Sequence, residues 1–179
     1  MSKEAKTFGL YLGVTSVLFN ALYYALGYTS IGENDPVQSV VGIVLLLVFF
    51  ILAALGQKKR QGGYLSYGEG FKTMLGAGVI SSLIGVAYMA VMILVLEPDY
   101  QQDILNQTYE NMIQQNPDMT EEQLEIGMTM TEKFTSPMWM LLFMVFFGIL
   151  FAAIFAAIIA IFVRKNKPIF DSVDSDSVQ

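Results

Sequence analysis

Four blocks of apolar residues dominate the chain. Phe8 to Tyr28, Val37 to Gly56, Phe71 to Leu96 and Met138 to Val163 carry no charged side chain deeper than Lys72, which lies at an entrance. A helix rises about 1.5 Å per residue, so about 20 residues cross a hydrocarbon layer of about 30 Å. Each block meets that length. The pattern predicts an all-α membrane protein with four transmembrane helices (8–28, 37–56, 71–96 and 138–163) in a compact antiparallel bundle. Between the third and fourth blocks, residues 97–135 change to an amphipathic period. Pro98 suits a first helical position, Ile104, Leu105, Tyr109, Met112 and Ile113 share one side, and Asn116-Pro117 ends the run. Thr120 to Gln123 reads T-x-x-Q, a capping box opening a second helix toward Phe134. A helical hairpin is expected there. Residues 1–167 form one integral-membrane domain, and 168–179 are expected to be a disordered acidic tail.

Within the blocks, small residues recur at helical spacing. Gly9 and Gly13 form G-x-x-x-G, continued by Ser16 and Asn20. Thr73, Ala77, Ser81 and Gly85 repeat every fourth residue in the third block, with Gly78 and Ser82 beside them. Gly148, Ala152, Ala156 and Ala160 do the same in the fourth. Helices in lipid associate by close packing of such rows, so these residues are assigned to helix contacts. A pore lined by small side chains is the alternative. Asn20 is the most polar side chain inside a block and is expected to make an interhelical hydrogen bond.

Charge sets the orientation. The ten cations are Lys3, Lys6, Lys58, Lys59, Arg60, Lys72, Lys133, Arg164, Lys165 and Lys167. In a four-span chain all but Lys133 fall on one side. Cations concentrate in short cytoplasmic loops, so both termini are expected in the cytoplasm and the 97–135 hairpin in the periplasm. The hairpin side holds nine carboxylates between Glu97 and Glu132. Lys3, Lys6 and the first block resemble a signal peptide, but the apolar run exceeds the usual 7–15 residues and no clear A-x-A site follows. A retained first helix is expected.

Composition narrows the chemistry. With neither Cys nor His among 179 residues, thiolate, disulfide and imidazole chemistry are excluded. The stretch KKRQGGYLSYGEGFK, residues 58–72, is rich in glycine but is no phosphate loop. Gly63 to Gly68 has the Walker gap, yet Glu69 stands where lysine is needed, and Gly68-Glu69-Gly70 lacks the third glycine of a dinucleotide fingerprint. Ser66 to Glu69 reads instead as a capping box before the third span. The segment is a turn, with lipid phosphate or a cytoplasmic partner on its basic cluster as the functional alternative. No metal site is assigned. Asp99, Asp103 and Glu110 share a face of one hairpin helix, and Glu121, Glu125 and Glu132 a face of the other. They are expected to be solvated, with a divalent cation or a basic partner as the alternative. Met128, Met130, Met138 and Met140 form two M-x-M pairs, a thioether pattern that suits Cu(I) but equally fills apolar surface.

Gly9 and Gly13, then GYLSYGEGFK, EPDYQQDILNQTYENM and MTEEQLE, follow one another in an order that resembles the bacterial membrane proteins of domain-of-unknown-function family 4199. The resemblance runs from about residue 6 to residue 166. It implies a four-helix inner-membrane protein of Gram-negative bacteria and carries over no catalytic residue. The expected function is a non-enzymatic structural or partner-binding component, without cofactor or nucleic acid. Its partners would be the lipid bilayer, a second copy or another membrane protein. A small oligomeric transporter or channel is the alternative, and a membrane enzyme using the periplasmic carboxylates stands third. The interior of the blocks offers no ionisable group for coupled transport.

Overall fold

The computed structural model describes residues 1–28 and 35–167; the tail expected at 168–179 lies outside them. It is all-helical: α1 (Lys3–Ala25), α2 (Pro36–Arg60), α3 (Tyr67–Val91), α4 (Tyr100–Gln115), α5 (Glu121–Thr135) and α6 (Pro137–Val163). Helices α1, α2 and α6, and α3 with its extension to Leu96, are long and apolar enough to cross a membrane, as in a multi-pass membrane protein. Apolar side chains such as Leu18, Leu83, Phe146 and Phe162 remain exposed on these four helices. That arrangement is unfavourable in water and favourable against lipid.

The helices start and stop for local reasons. Ser2 caps α1 by accepting from the Ala5 N–H, and Asp35 caps α2 ahead of Pro36 at the first helical position. Both capping boxes form: Ser66 with Glu69 on α3, and Thr120 with Gln123 on α5. Beyond Val91 the third helix widens into a π-turn, Met92–Leu96, closed by the Glu97 N–H donating to the Met92 carbonyl. Pro98 explains the break. It has no N–H to offer, and its ring drives Glu97 out of helical conformation, to φ −130° and ψ 67°. The sequence expectation that Pro98 opens α4 is therefore corrected; α4 begins at Tyr100.

Helix α3 is the hub, packing on α1, α2 and α6. The small-residue rows lie at these contacts. A methyl group on Gly9 would come 2.7 Å from the Ala77 carbonyl oxygen, and one on Gly13 would meet Ile84 at 2.6 Å. Gly78 faces Ala152, and Gly148 faces Ser82. Ala77, Ala156 and Ala160 are fully or almost fully buried, and the Ser81 hydroxyl donates to the Gly78 carbonyl. Gly85 is the exception, since a methyl there would touch only the Met144 Cε, at 3.7 Å.

Most of the core lies toward one end of the four long helices, while Met92, Ile93 and Tyr100 are buried beyond it, after α3 and at the start of α4. Buried positions run from Glu4 to Gly13 on α1, Phe50 to Ala54 on α2, Gly70 to Gly78 on α3 and Ala152 to Ala160 on α6. This is the end that carries every lysine and arginine but Lys133. Toward the other end, α4 and α5 pack on each other and α5 leans on α6. Met112 lies against Gly127, and Phe134 contacts Trp139 and Phe143 at ring-centre distances of 6.3 and 6.0 Å. Only Ser136 separates α5 from α6, with Pro137 restarting the helix.

Candidate functional site at the cation-rich end

Lys58, Lys59 and Arg60 form the last turn of α2, where positive charge complements the exposed carbonyls of the helix terminus. The chain then reverses through Gly62 and Gly63, at φ 71° and 91°, a left-handed conformation that favours glycine. Immediately afterwards it is latched to the chain beyond α6. Leu65 N–H donates to the Lys165 carbonyl and Lys165 N–H to the Leu65 carbonyl, both at 2.8 Å. Leu65 is 1% exposed and anchors the turn in the core.

Other ties gather at the same end. Arg60 Nη1 lies 2.8 Å from Glu4 Oε2, joining α2 to α1. It is the single ion pair among the described residues. The Glu4 side chain is only 10% exposed, so its charge is held in a largely dry position. Lys58 Nζ donates to the Val163 carbonyl at 3.0 Å, joining α2 to the end of α6. Ser2 Oγ donates to Thr73 Oγ1 at 3.3 Å, joining the start of α1 to α3.

Between the turn and the chain after α6 opens a cleft of about 530 Å³, lined by Gln61, Tyr64, Ser66, Glu69, Lys165 and Lys167 among others. The Lys165 ammonium stands 5.7 Å from the centre of the Tyr64 ring. Glu69 is already engaged, accepting from Ser66 N–H at 3.2 Å, Ser66 Oγ at 2.8 Å and Gln61 Nε2 at 2.9 Å. The lysines have no carboxylate within ion-pair distance among the described residues. Sequence reading identified the basic cluster but not this cleft, whose walls come from segments about a hundred residues apart.

A second cavity, of about 200 Å³, lies within the four long helices. Ser16, Gly42, Ser81, Ser82, Gly85 and Gly148 line it with Leu12, Leu46 and Met144. Nearby, Asn20 joins α1 to α2: its carbonyl oxygen accepts from Gln38, while its amide donates to the Ser16 carbonyl. Asp35 accepts from the Tyr23 hydroxyl and the Val37 N–H, and these bonds hold its carboxyl below the usual aspartate range.

The carboxylates of α4 and α5 form no metal-binding group of three among the described residues. Asp99, Asp103 and Glu110 therefore form no such site with Glu121, Glu125 and Glu132. The contacts between the two helices are of other kinds, such as Gln101 Nε2 donating to the Glu132 carbonyl at 3.1 Å. Met130 and Met138, of the two methionine pairs, are 59% and 73% exposed.

Residues 7–165 match the model of a family described as "Protein of unknown function (DUF4199)". No curated protein and no solved structure matches the chain.

Proposed function

We propose that this chain, which belongs to the DUF4199 family, is a non-enzymatic, partner-binding component of a bacterial inner membrane. In this reading the four long helices are an antiparallel bundle with both termini in the cytoplasm, and α4 and α5 form a periplasmic hairpin. The observation that carries it is the apolar surface the hairpin leaves uncovered. Tyr109, Ile113, Ile126 and Met130 are 45%, 44%, 52% and 59% exposed, although α4 and α5 are otherwise the most polar helices of the chain. Exposed apolar side chains on a segment outside the membrane core favour association with another surface.

Because the chain has no cysteine, single-cysteine variants at Ile113 and Met130 are clean probes. Crosslinking in native membranes is expected to give a discrete adduct from these positions and none from Glu122→Cys. A ladder independent of position would remove the partner-binding reading.

The serine-lined cavity favours a second reading, a small transporter or channel. It sits where all four long helices meet and offers three hydroxyl-bearing residues at membrane depth. Solute flux through liposomes, abolished by Ser82→Leu, would support that reading over the first.

A further inference from the structure

We propose that the cleft between the α2–α3 turn and the chain after α6 binds the phosphate group of an anionic phospholipid. The inference rests on the four long helices lying in a bilayer, not on which side faces the cytoplasm. Three observations lead to it.

The first is position. The cleft lies directly at the end of α2, α6 and the start of α3, and therefore at headgroup level when those helices span the membrane. Tyr64 belongs to its wall and Tyr67 follows immediately, aromatic residues of the kind that settle at the membrane–water interface.

The second is preorganisation. The paired backbone bonds between Leu65 and Lys165 fix the start of the short segment after α6. Arg164 is extended, at φ −58° and ψ 141°. Lys165 and Lys167 both line the cleft, and Lys165 is further placed by the Tyr64 ring. Two other cations nearby are tied elsewhere: Arg60 to Glu4, and Lys58 to the Val163 carbonyl. Lys59, Lys72 and Arg164 lie outside the lining, so Lys165 and Lys167 are the cations the cleft offers an external anion. The amide donors of Gln61 and Asn166 stand in the same wall.

The third is charge balance. Lys165 and Lys167 contribute two positive charges and Glu69 one negative, leaving one net positive charge in the lining. A phosphodiester carries one negative charge and neutralises it. A phosphate dianion would leave an excess of negative charge beside Glu69. The ligand class is thus a phospholipid with a phosphodiester headgroup, the phosphate oxygens accepting from the two ammoniums and the side-chain amides.

The full chain in nanodiscs of phosphatidylcholine containing a minor fraction of phosphatidylglycerol is the test, with lipid retained after release into detergent counted by native mass spectrometry. Lys165→Gln/Lys167→Gln is expected to lower phosphatidylglycerol retention by roughly fivefold per lysine. Lys165→Arg/Lys167→Arg should retain it. Glu69→Gln, which preserves the cap, should raise it. Lys59→Gln/Lys72→Gln removes the same charge outside the cleft lining and should change it little. Equal losses from the two glutamine pairs would reduce the effect to diffuse surface attraction and overturn the site. Inorganic phosphate added in detergent without lipid is the second arm. Saturable phosphate binding that depends on Lys165 and Lys167 would transfer the site to a soluble anion and overturn the lipid assignment. Unchanged thermal unfolding of each variant confirms that the readout is binding.

Discussion

A methyl group placed on Gly78 would sit 2.4 Å from the Cβ of Ala152, well inside contact distance. Neither atom is the end of a flexible side chain, so α3 and α6 would have to separate. Overpacking of this kind costs about 1–3 kcal/mol. Gly78→Ala and Ala152→Leu are both expected to lower thermal stability in detergent by that order. Gly42→Ala, with nothing within 4 Å, should be neutral or slightly stabilising. Equal behaviour of Gly78 and Gly42 variants would place the α3–α6 contact elsewhere.

Removing Arg60 strands a carboxylate. With Glu4 only 10% exposed, Arg60→Gln leaves its charge without its partner, at an expected cost of about 1–3 kcal/mol. Glu4→Gln should cost less, because Arg60 is 55% exposed and returns to water. The double variant should be more stable than Arg60→Gln alone. Chemical denaturation of the four proteins gives the cycle directly.

Acid should loosen the α1–α2 connection. The Asp35 carboxyl titrates below its ordinary value of 3.8 when it accepts from Tyr23 and Val37. A depressed folded pKa means the stabilisation is fully present above 3.8 and is lost as pH falls through the lower folded value. Tyrosine emission, followed on acidification below pH 4, should change in the native chain, and this component should vanish in Asp35→Asn.

Orientation follows from the nine cations that crowd one end of the bundle. Reporter fusions after Arg60 and after Lys167 should report cytoplasm, and a fusion at Asn116 periplasm. A cytoplasmic signal at Asn116 would invert or break the proposed topology.

The four long helices were legible because a lipid-spanning helix must be apolar over its whole length, a signal that needs no partner to read. Their ends were less so. Helix α1 begins at Lys3 rather than Phe8, capped by Ser2 and with Glu4 turned inward to Arg60, and α2 runs past Gly56 to Arg60. Charged first and last turns look like loops until the pair between them is seen. Gly9 and Gly13 pack as close-contact residues do, whereas Gly85 belongs to the same spacing but lies toward the loosely packed end. Spacing identifies a face but not the depth at which helices diverge. The cleft was illegible for a further reason: Gln61, Glu69 and Lys165 are brought together by backbone pairing, which leaves no mark on side-chain pattern.

The Leu65–Lys165 latch also has a consequence in time. Its two halves are 165 − 65 = 100 residues apart in the order of synthesis. At translation rates of about 5–20 residues per second, the α2–α3 turn waits roughly 5–20 s for its partner. Throughout that interval Leu65 lacks its backbone mate, and the turn is held by local bonds only, such as Gly63 N–H to the Lys58 carbonyl and the Ser66–Glu69 cap. The bond pair closes only when α6 has been delivered, so it marks all four long helices as made. A nascent protein halted before α6 would expose an open turn that the paired one does not.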